Sequence, residues 1–572
     1  MNRSETIEVS LSDSSSRDSR FSISTPAVIS LILVAAIWIY FLFFLPTFDL
    51  DESLYRRVAE EMKRSHLWWT PKWDGDVLFH KPPILYWLIA GISNVVDGST
   101  QAVSIFSARL PSVLSCVGIM MFLQRTAARW RFKNTWIAPL AFTMGIFPMV
   151  TSASVIFDVL QTLCFMPALL LSAQYFMNAR AQDPEFSVPA LRTRDWIFWV
   201  LSLFLATAVK GLNGLVVPSF AFFLQMILFS RVQLQNRFRF FISECLAYGF
   251  KVFLPATFLS FLYYWFLDHK MGPAFTHEFF WVQHFGRSSE AMEAHGGSFL
   301  YHPISVFFGA GLLAPVLIWA WSRAKLKYSQ YGFPLTYVFA FLFVFGFSAT
   351  KLPHYTWPVW PALALALGIA FQKLKTQSLG DSRGFSRSEG FFASFPVLFL
   401  GALSLFLMLT PLAMIQPFAS GDRLQLVLPI VTEIHWWQRV AFAITTLACF
   451  IFLSQKNTWV KKPEWLSVLA LIASFTLAIG LTPSIQAFMV DPFYEIADSL
   501  KALHPAPTDC IRYNGPHSPT FSLALGMELT HNRCESMYAK YIIAPAWRVS
   551  ECKERHFEVV STSRYLSLCV KK

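Results

Sequence analysis

Residues 26–47 read PAVISLILVAAIWIYFLFFLPT, a stretch without one charged side chain. Hydrocarbon offers backbone N–H and C=O groups no partner, so a chain crossing it must satisfy them internally, as a helix or a closed barrel. Barrel strands alternate apolar and polar side chains. This stretch is apolar all round, and about 20 such residues cover the bilayer as a helix. It reads as a membrane helix.

The same reading carries outward to 104–124, 134–153, 155–177, 196–210, 211–229, 248–267, 302–321, 333–350, 355–372, 392–415, 437–455 and 466–488. Of the 572 residues 55% are hydrophobic and 14% charged, where a soluble chain carries roughly 25% charged residues. The expected fold is therefore an α-helical polytopic membrane protein of about 13 transmembrane helices. Residues 1–25 are polar and Ser-rich, and the apolar run behind them is too long for a cleavable signal. They read as a disordered cytoplasmic tail. The membrane domain then covers 26–489, and residues 490–572 are a separate, less apolar unit.

Short basic loops stay on the cytoplasmic side. With the N-terminus inside, the inner loops hold Arg125, Arg129, Arg131 and Lys133, then Arg180, Arg192 and Arg194, then Arg231, Arg237 and Arg239. Arg323, Lys325 and Lys327 follow, then Lys373, Lys375, Arg383 and Arg387, and last Lys456, Lys461 and Lys462. A basic loop follows every even-numbered helix. The net charge of +12 is thus mostly a topology signal, implying membrane lipids as neighbours and no nucleic-acid partner. Odd parity puts 490–572 outside. There Tyr541-Ile542-Ile543 and Phe557-Glu558-Val559-Val560 read as strands, giving a small α/β periplasmic domain. Cys510, Cys534, Cys552 and Cys569 all fall in it; without CxxC spacing, disulfides are preferred to zinc.

Two outer loops, 48–103 and 268–301, are long enough to carry function. In the first, Asp51 and Glu52 open a helical stretch, Ser53 to Arg64, with Leu54, Val58 and Met62 at helical spacing. It reads as an amphipathic helix on the outer interface, with Trp68, Trp69 and Trp73 in the interfacial belt. His80 and Lys81 precede Pro82-Pro83, which holds the chain extended. Asp158 lies near the outer end of its helix, Lys210 and Lys351 in short outer links, and His284 and Arg287 in the second loop. Carboxylates (Asp51, Glu52, Asp158) and cations (Lys81, Lys210, Arg287, Lys351) thus gather on one side. Singly, each reads equally well as an interfacial charge reaching water. Together, the cations suit a lipid phosphate or diphosphate. The carboxylates are then free to orient them, bind a metal, or deprotonate a hydroxyl.

At Asp51-Glu52-Ser53-Leu54-Tyr55, Lys81-Pro82-Pro83 with Tyr86-Trp87, Ala108-Arg109-Leu110-Pro111, Lys210-Gly211, His284-Phe285-Gly286-Arg287 and Lys351-Leu352-Pro353-His354-Tyr355, the chain resembles the GT-C superfamily of membrane glycosyltransferases. Within it the chain resembles the aminoarabinose transferase and protein O-mannosyltransferase relatives. The resemblance implies a GT-C type fold and an inverting transfer of a sugar from a polyprenyl-phosphate donor to a lipid, glycan or protein acceptor. The place implied is the outer face of a bacterial inner membrane, and a monomer is the default. It implies Lys81 and Arg287 on the donor phosphate with Lys210 and Lys351, Tyr55 and Tyr355 lining its cavity, and Asp51, Glu52 and Asp158 as catalytic carboxylates. Two positions depart from the family pattern. Leu54 stands where an Arg often precedes the Tyr, and His80 where a Glu usually precedes Lys-Pro-Pro. In the aminoarabinose branch that Glu accompanies a bound divalent metal. Either His80 and His284 hold such an ion (zinc, magnesium or manganese) or, with the carboxylate gone, no metal is bound. A transporter or flippase for polyprenyl-linked sugars is the competing class.

Overall fold

The structure, a computed structural model, describes residues 23–178 apart from 46 and 48, 191–229, 242–291, 296–318 apart from 312 and 315, 328–376, 398–405 in part, 435–454, 463–506, and parts of 509–571. Helices cover the expected spans: α1 (Thr25–Phe44), α2 (Leu54–Ser65), α3 (Ile84–Val96), α4 (Ile105–Arg129), α5 (Ile137–Met144), α6 (Ile146–Thr151) and α7 (Phe157–Asn178) lead. Then come α8 (Thr193–Lys210), α9 (Asn213–Phe229), α10 (Leu254–Met271), α11 (Tyr301–Ala310), α12 (Tyr328–Phe347) and α13 (Val359–Thr376). After them α14 (Trp436–Ser454), α15 (Pro463–Met489) and α16 (Asp491–Lys501) are described. Most of span 392–415 lies outside the described residues. Among those described, Thr25–Phe44, Ile105–Arg129, Phe157–Tyr175 and Ile242–Met271 are long and apolar enough to cross a membrane.

Two described spans depart from their expected form: 302–321, where α11 ends at Ala310 before Gly311 (φ 51°), and 134–153. Residues 134–153 were read as one helix, but the backbone breaks at Gly145, which is extended (φ −70°, ψ 132°) between α5 and α6. A Cβ there would lie 2.8 Å from the Pro148 ring, so the break depends on a residue without one. The main core runs through α1, α4, α5, α7, α12, α13 and α15, with Phe41, Trp130, Phe142, Trp357 and Trp360 buried in it.

A second layer sits across the ends of α4, α7 and α8. Helix α2, the hairpin β1–β2 (Lys72–Trp73, Asp76–Val77) and α3 share a core with Tyr55, Val58, Met62, Leu85, Tyr86, Phe157 and Val209. The interfacial reading of α2 is corrected here, because its polar face is covered rather than wet. Arg57, Glu60, Glu61 and Lys63 are all buried. Arg57 lies 3.0 Å from Glu60, 3.3 Å from Glu61 and 3.3 Å from Asp74. The cover is the Asp74-Gly75 turn, whose positive φ values (49° and 85°) suit a tight two-residue hairpin. Glu61 accepts its two backbone N–H groups at 2.6 and 3.3 Å. The Trp68 carbonyl accepts the Trp87 indole N–H at 2.5 Å, which ties the tryptophans to α3.

At the C-terminal end four strands, β3 (Ile511–Tyr513), β4 (Tyr541–Pro545), β5 (Phe557–Ser563) and β6 (Leu566–Lys571), form a sheet in the order β3-β4-β6-β5. The β3–β4 pair is parallel and the others antiparallel. Helix α16 closes one face through Phe493, Ile496 and Leu500 against Ile543 and Leu568. Cys552 and Cys569 are joined in a disulfide. Cys510 and Cys534 lie outside the described residues.

Candidate active site

The cluster forms where the α2–α3 layer meets the ends of α7 and α8. A π-helical turn over Asp49–Ser53 carries the chain into α2. It places Asp51 one turn before Tyr55, whose hydroxyl donates to Asp51 Oδ1 at 2.8 Å. Tyr55 packs edge-on against Phe157 at 4.9 Å and lies 5.9 Å from the Tyr86 ring. Burial and then the Asp51 charge raise the phenols of Tyr55 and Tyr86 well above their ordinary value. Both stay neutral hydroxyls beside that carboxylate. The Tyr86 hydroxyl is buried with no hydrogen-bond partner among the described residues.

Asp158, in the first turn of α7, and Lys210, the last residue of α8, form a buried ion pair. The Lys210 ammonium also sits 4.6 Å from the centre of the Tyr355 ring. His354 Nε2 approaches the other Asp158 oxygen at 3.8 Å. Burial lowers the His354 pKa against the opposing pull of Asp158 and Asp51, so the ring is neutral. Lys81 faces the same space. Its pKa is lowered to about 7, first by burial and then by Lys210 and Arg287, while Asp51 and Asp158 act the other way. One ammonium thus feels two cations and two carboxylates delivered by four other segments.

Arg287 ends the long π-helical stretch His277–Gly286, and its Nε donates to Gln283 at 2.8 Å. It also hydrogen-bonds Tyr355. The link after α12 anchors this loop: Ala349 and Thr350 donate backbone N–H to the carbonyls of Ser288 and Arg287 at 3.0 and 3.1 Å.

Four residues expected at the site have partners that the sequence did not announce. Both oxygens of Glu52, expected as a catalytic carboxylate, are taken by Arg109 (Nε to Oε1 2.7 Å, Nη2 to Oε2 3.2 Å), and both side chains are fully buried. Arg109 further donates to the Phe41 carbonyl at 2.9 Å, so the pair pins α1, the Asp49–Ser53 turn and α4 together. Lys351, expected on the donor phosphate, gives its three N–H groups to the carbonyls of Phe345, Gly346 and Ser348. It caps the C-terminal end of α12, where a cation meets the exposed carbonyls of the last turn. His80 and His284 do not assemble a metal site. His284 Nε2 accepts the Leu212 N–H at 3.2 Å, so Nδ1 carries the proton and donates to Phe279 O at 2.7 Å. No lone pair is left for an ion. His80 instead lies 4.0 Å from Glu278. No three His, Cys, Asp or Glu side chains gather as ligands among the described residues.

The sequence reading quoted His354 and Arg109 inside motifs but gave neither a role. The partners that define them, Asp158 and Glu52, are far away in the chain. Gly211 has a more local explanation. Its φ of +120° is open to glycine, and a Cβ would lie 2.0 Å from His284 Nε2. Gly211→Ala is expected to destabilise the protein by about 1–3 kcal/mol through backbone strain. Thermal melting in detergent reads that loss, and a raised KM for the donor reads the displaced His284–Arg287 turn.

No family model matches the chain. It is 27% identical over 322 residues to the undecaprenyl phosphate-alpha-4-amino-4-deoxy-L-arabinose arabinosyl transferase 2 of Proteus mirabilis, covering 55% of this chain and 54% of that one. With the corresponding transferase of Erwinia tasmaniensis the identity is 25% over 401 residues, covering 69% and 67%. The chain thus spans about half to two-thirds of the length of the curated relatives it matches. It shares the fold of ArnT from Cupriavidus metallidurans, solved bound to undecaprenyl phosphate, with a TM-score of 0.70 at 16% identity over 95% of this chain and 97% of that one. The resemblance to the aminoarabinose transferase branch is borne out by these similarities.

Proposed function

We propose that the chain is an inverting glycosyltransferase, moving a sugar from a polyprenyl-phosphate donor to a lipid (lipid A-like), glycan or protein acceptor at the periplasmic face of a bacterial inner membrane. One observation carries this reading. Asp158 and Lys210 form a buried ion pair against the Tyr355 ring, and Arg287 hydrogen-bonds the same tyrosine, so a carboxylate and two cations from three separate segments meet around Tyr355. The relatives named above are arabinosyl transferases of an undecaprenyl-phosphate sugar, which supports the donor class. The transporter alternative is not favoured. Transporter sites lie near the bilayer midplane, whereas these groups gather at the ends of α7 and α8.

In this reading Lys81 and Arg287 hold the donor phosphate, with Tyr355 lining the cavity. As the bond between the anomeric carbon and the phosphate oxygen breaks, charge grows on that phosphate. Preorganised cations in a water-poor site stabilise it. The leaving group departs as an anion, so no general acid is required. The acceptor oxygen attacks the opposite face of the anomeric carbon, and Asp51 takes its proton when that oxygen is a hydroxyl. A phosphate acceptor is already anionic and needs no base. Asp158 fixes Lys210, Tyr55 fixes Asp51, and no step is assigned to a metal, because both ring nitrogens of His284 are taken by hydrogen bonds to the backbone.

The test is sugar transfer by purified protein from a polyprenyl-phosphate sugar. Asp51→Asn is expected to lower kcat by about 10²–10⁴ with a hydroxyl acceptor, the range for a general base. Transfer at the unaltered rate removes Asp51 from the mechanism.

A further inference from the structure

A cavity of about 410 Å³ opens at the opposite end of the same three helices that build the site. Its walls come from the last turns of α4, the second half of α7 and the first turns of α8. Arg109 and Arg125 on α4, Asp158 and Gln174 on α7, and Lys210 and Arg194 on α8 are each sixteen residues apart. That separation is about 24 Å of helix, most of a hydrocarbon core of about 30 Å. The cavity therefore lies near the other boundary of the bilayer.

Its lining divides by chemistry. Phe122, Leu170 and Phe198 give an apolar wall, and Phe122 and Phe198 are exposed, so the groove is open on its outward side. Arg125, Arg129 and Arg194 stand at its rim. Among the described residues Asp195 is the one carboxylate in the lining. It is already used: it accepts the Arg192 backbone N–H at 2.8 Å and lies 3.4 Å from Arg129 and 3.8 Å from Arg194. Arg125 is exposed and has no carboxylate partner among the described residues. Among the described residues, three guanidinium groups against one committed carboxylate leave an excess of positive charge beside an apolar trough.

We propose that this groove binds an anionic phospholipid, its phosphate held by Arg125, Arg129 and Arg194 and one acyl chain laid along Phe122, Leu170 and Phe198. Guanidinium forks match phosphate oxygens in pairs, and basic pockets between helices at the membrane boundary take anionic head groups. A zwitterionic lipid brings its own cation to the same arginines and gains less. A free phosphate makes no use of the apolar wall.

The experiment is native mass spectrometry of the full chain in detergent, titrated with phosphatidylglycerol or phosphatidylcholine, with inorganic phosphate as competitor. Phosphatidylglycerol is expected to bind at least about tenfold more tightly than phosphatidylcholine. Arg125→Gln combined with Arg194→Gln is expected to weaken it by about thirtyfold, since two surface cations near an anionic lipid are removed and each contributes on the order of 1 kcal/mol. Both side chains are exposed, so folding is not at risk, and an unchanged melting temperature verifies this. Phe198→Ala is expected to weaken the lipid with all arginines kept. Equal binding of the two lipids overturns the proposal, as does unchanged affinity in the double variant. Displacement of the lipid by millimolar phosphate marks a soluble-anion site and overturns it too.

Discussion

Lys81→Ala is expected to lower kcat/KM for a polyprenyl-phosphate sugar by at least about a hundredfold, because it removes a preorganised donor from charge developing in a water-poor site. The pH dependence identifies the cause. With its pKa lowered to about 7, Lys81 is about half neutral at pH 7 in the free protein. A bound phosphate stabilises the ammonium and raises that pKa, so donor binding takes up a proton. The sign follows: donor KM is flat below pH 7 and rises above it, by up to about tenfold per pH unit, until the pKa of the complex is reached. His284, lowered to about 4 by burial, is neutral throughout this range and adds nothing to the slope. Lys81→Arg is expected to abolish the slope, because a guanidinium stays charged. Lys351→Met serves as the control. Its ammonium caps α12, so stability is expected to fall while donor KM stays put. A donor KM that does not change between pH 7 and 9 in the unaltered protein contradicts the account.

The spans were legible because membrane insertion is a local property: about 20 apolar residues in a row fix it whatever surrounds them. The strands around Tyr541 and Phe557 were legible for a similar reason, being short apolar runs in a less apolar context. What failed depended on distant partners. The break at Gly145 is the local exception: Pro148, three residues on, leaves no room for a Cβ there, although the apolar pattern runs straight through. The covered face of α2 depends on a hairpin whose strands are two residues each, too short to register as alternation, although Asp74-Gly75 was a readable turn signal. At the site, residue type was readable for Asp51, Lys81, Asp158, Lys210 and Arg287, and of these the fold pairs Asp158 with Lys210. For Glu52 and Lys351 the same signals left their partners unannounced. Nothing near Glu52 in the chain announces Arg109, and nothing in Lys351-Leu352-Pro353 says that the ammonium folds back onto the carbonyls before it.

That distinction between Glu52 and Asp51 leads to a second large effect. Arg109→Met is expected to destabilise the protein by about 3–5 kcal/mol, because it strands a fully buried carboxylate without its cation. The Phe41 carbonyl loses its donor as well, and with it the tie between the end of α1 and α4. Removing both charges is a different case. A buried ion pair contributes little beyond a well-packed apolar or neutral pair, since the desolvation of two ions offsets most of their attraction. Glu52→Gln combined with Arg109→Met is therefore expected to recover at least half of the lost stability, read as the melting temperature in detergent. Activity per folded molecule separates the two roles available to Glu52. As a positioning residue for the turn that carries Asp51, its loss in the double variant costs up to about tenfold and falls on kcat and KM together as the turn loosens. As a general base its loss costs about 10²–10⁴ in kcat alone, even in a protein as stable as the original. A double variant with restored melting temperature and kcat lower by a thousandfold returns Glu52 to the reacting atoms. Retained turnover leaves Asp51 as the carboxylate that faces the donor, with Glu52 and Arg109 as the buried clamp that sets its place.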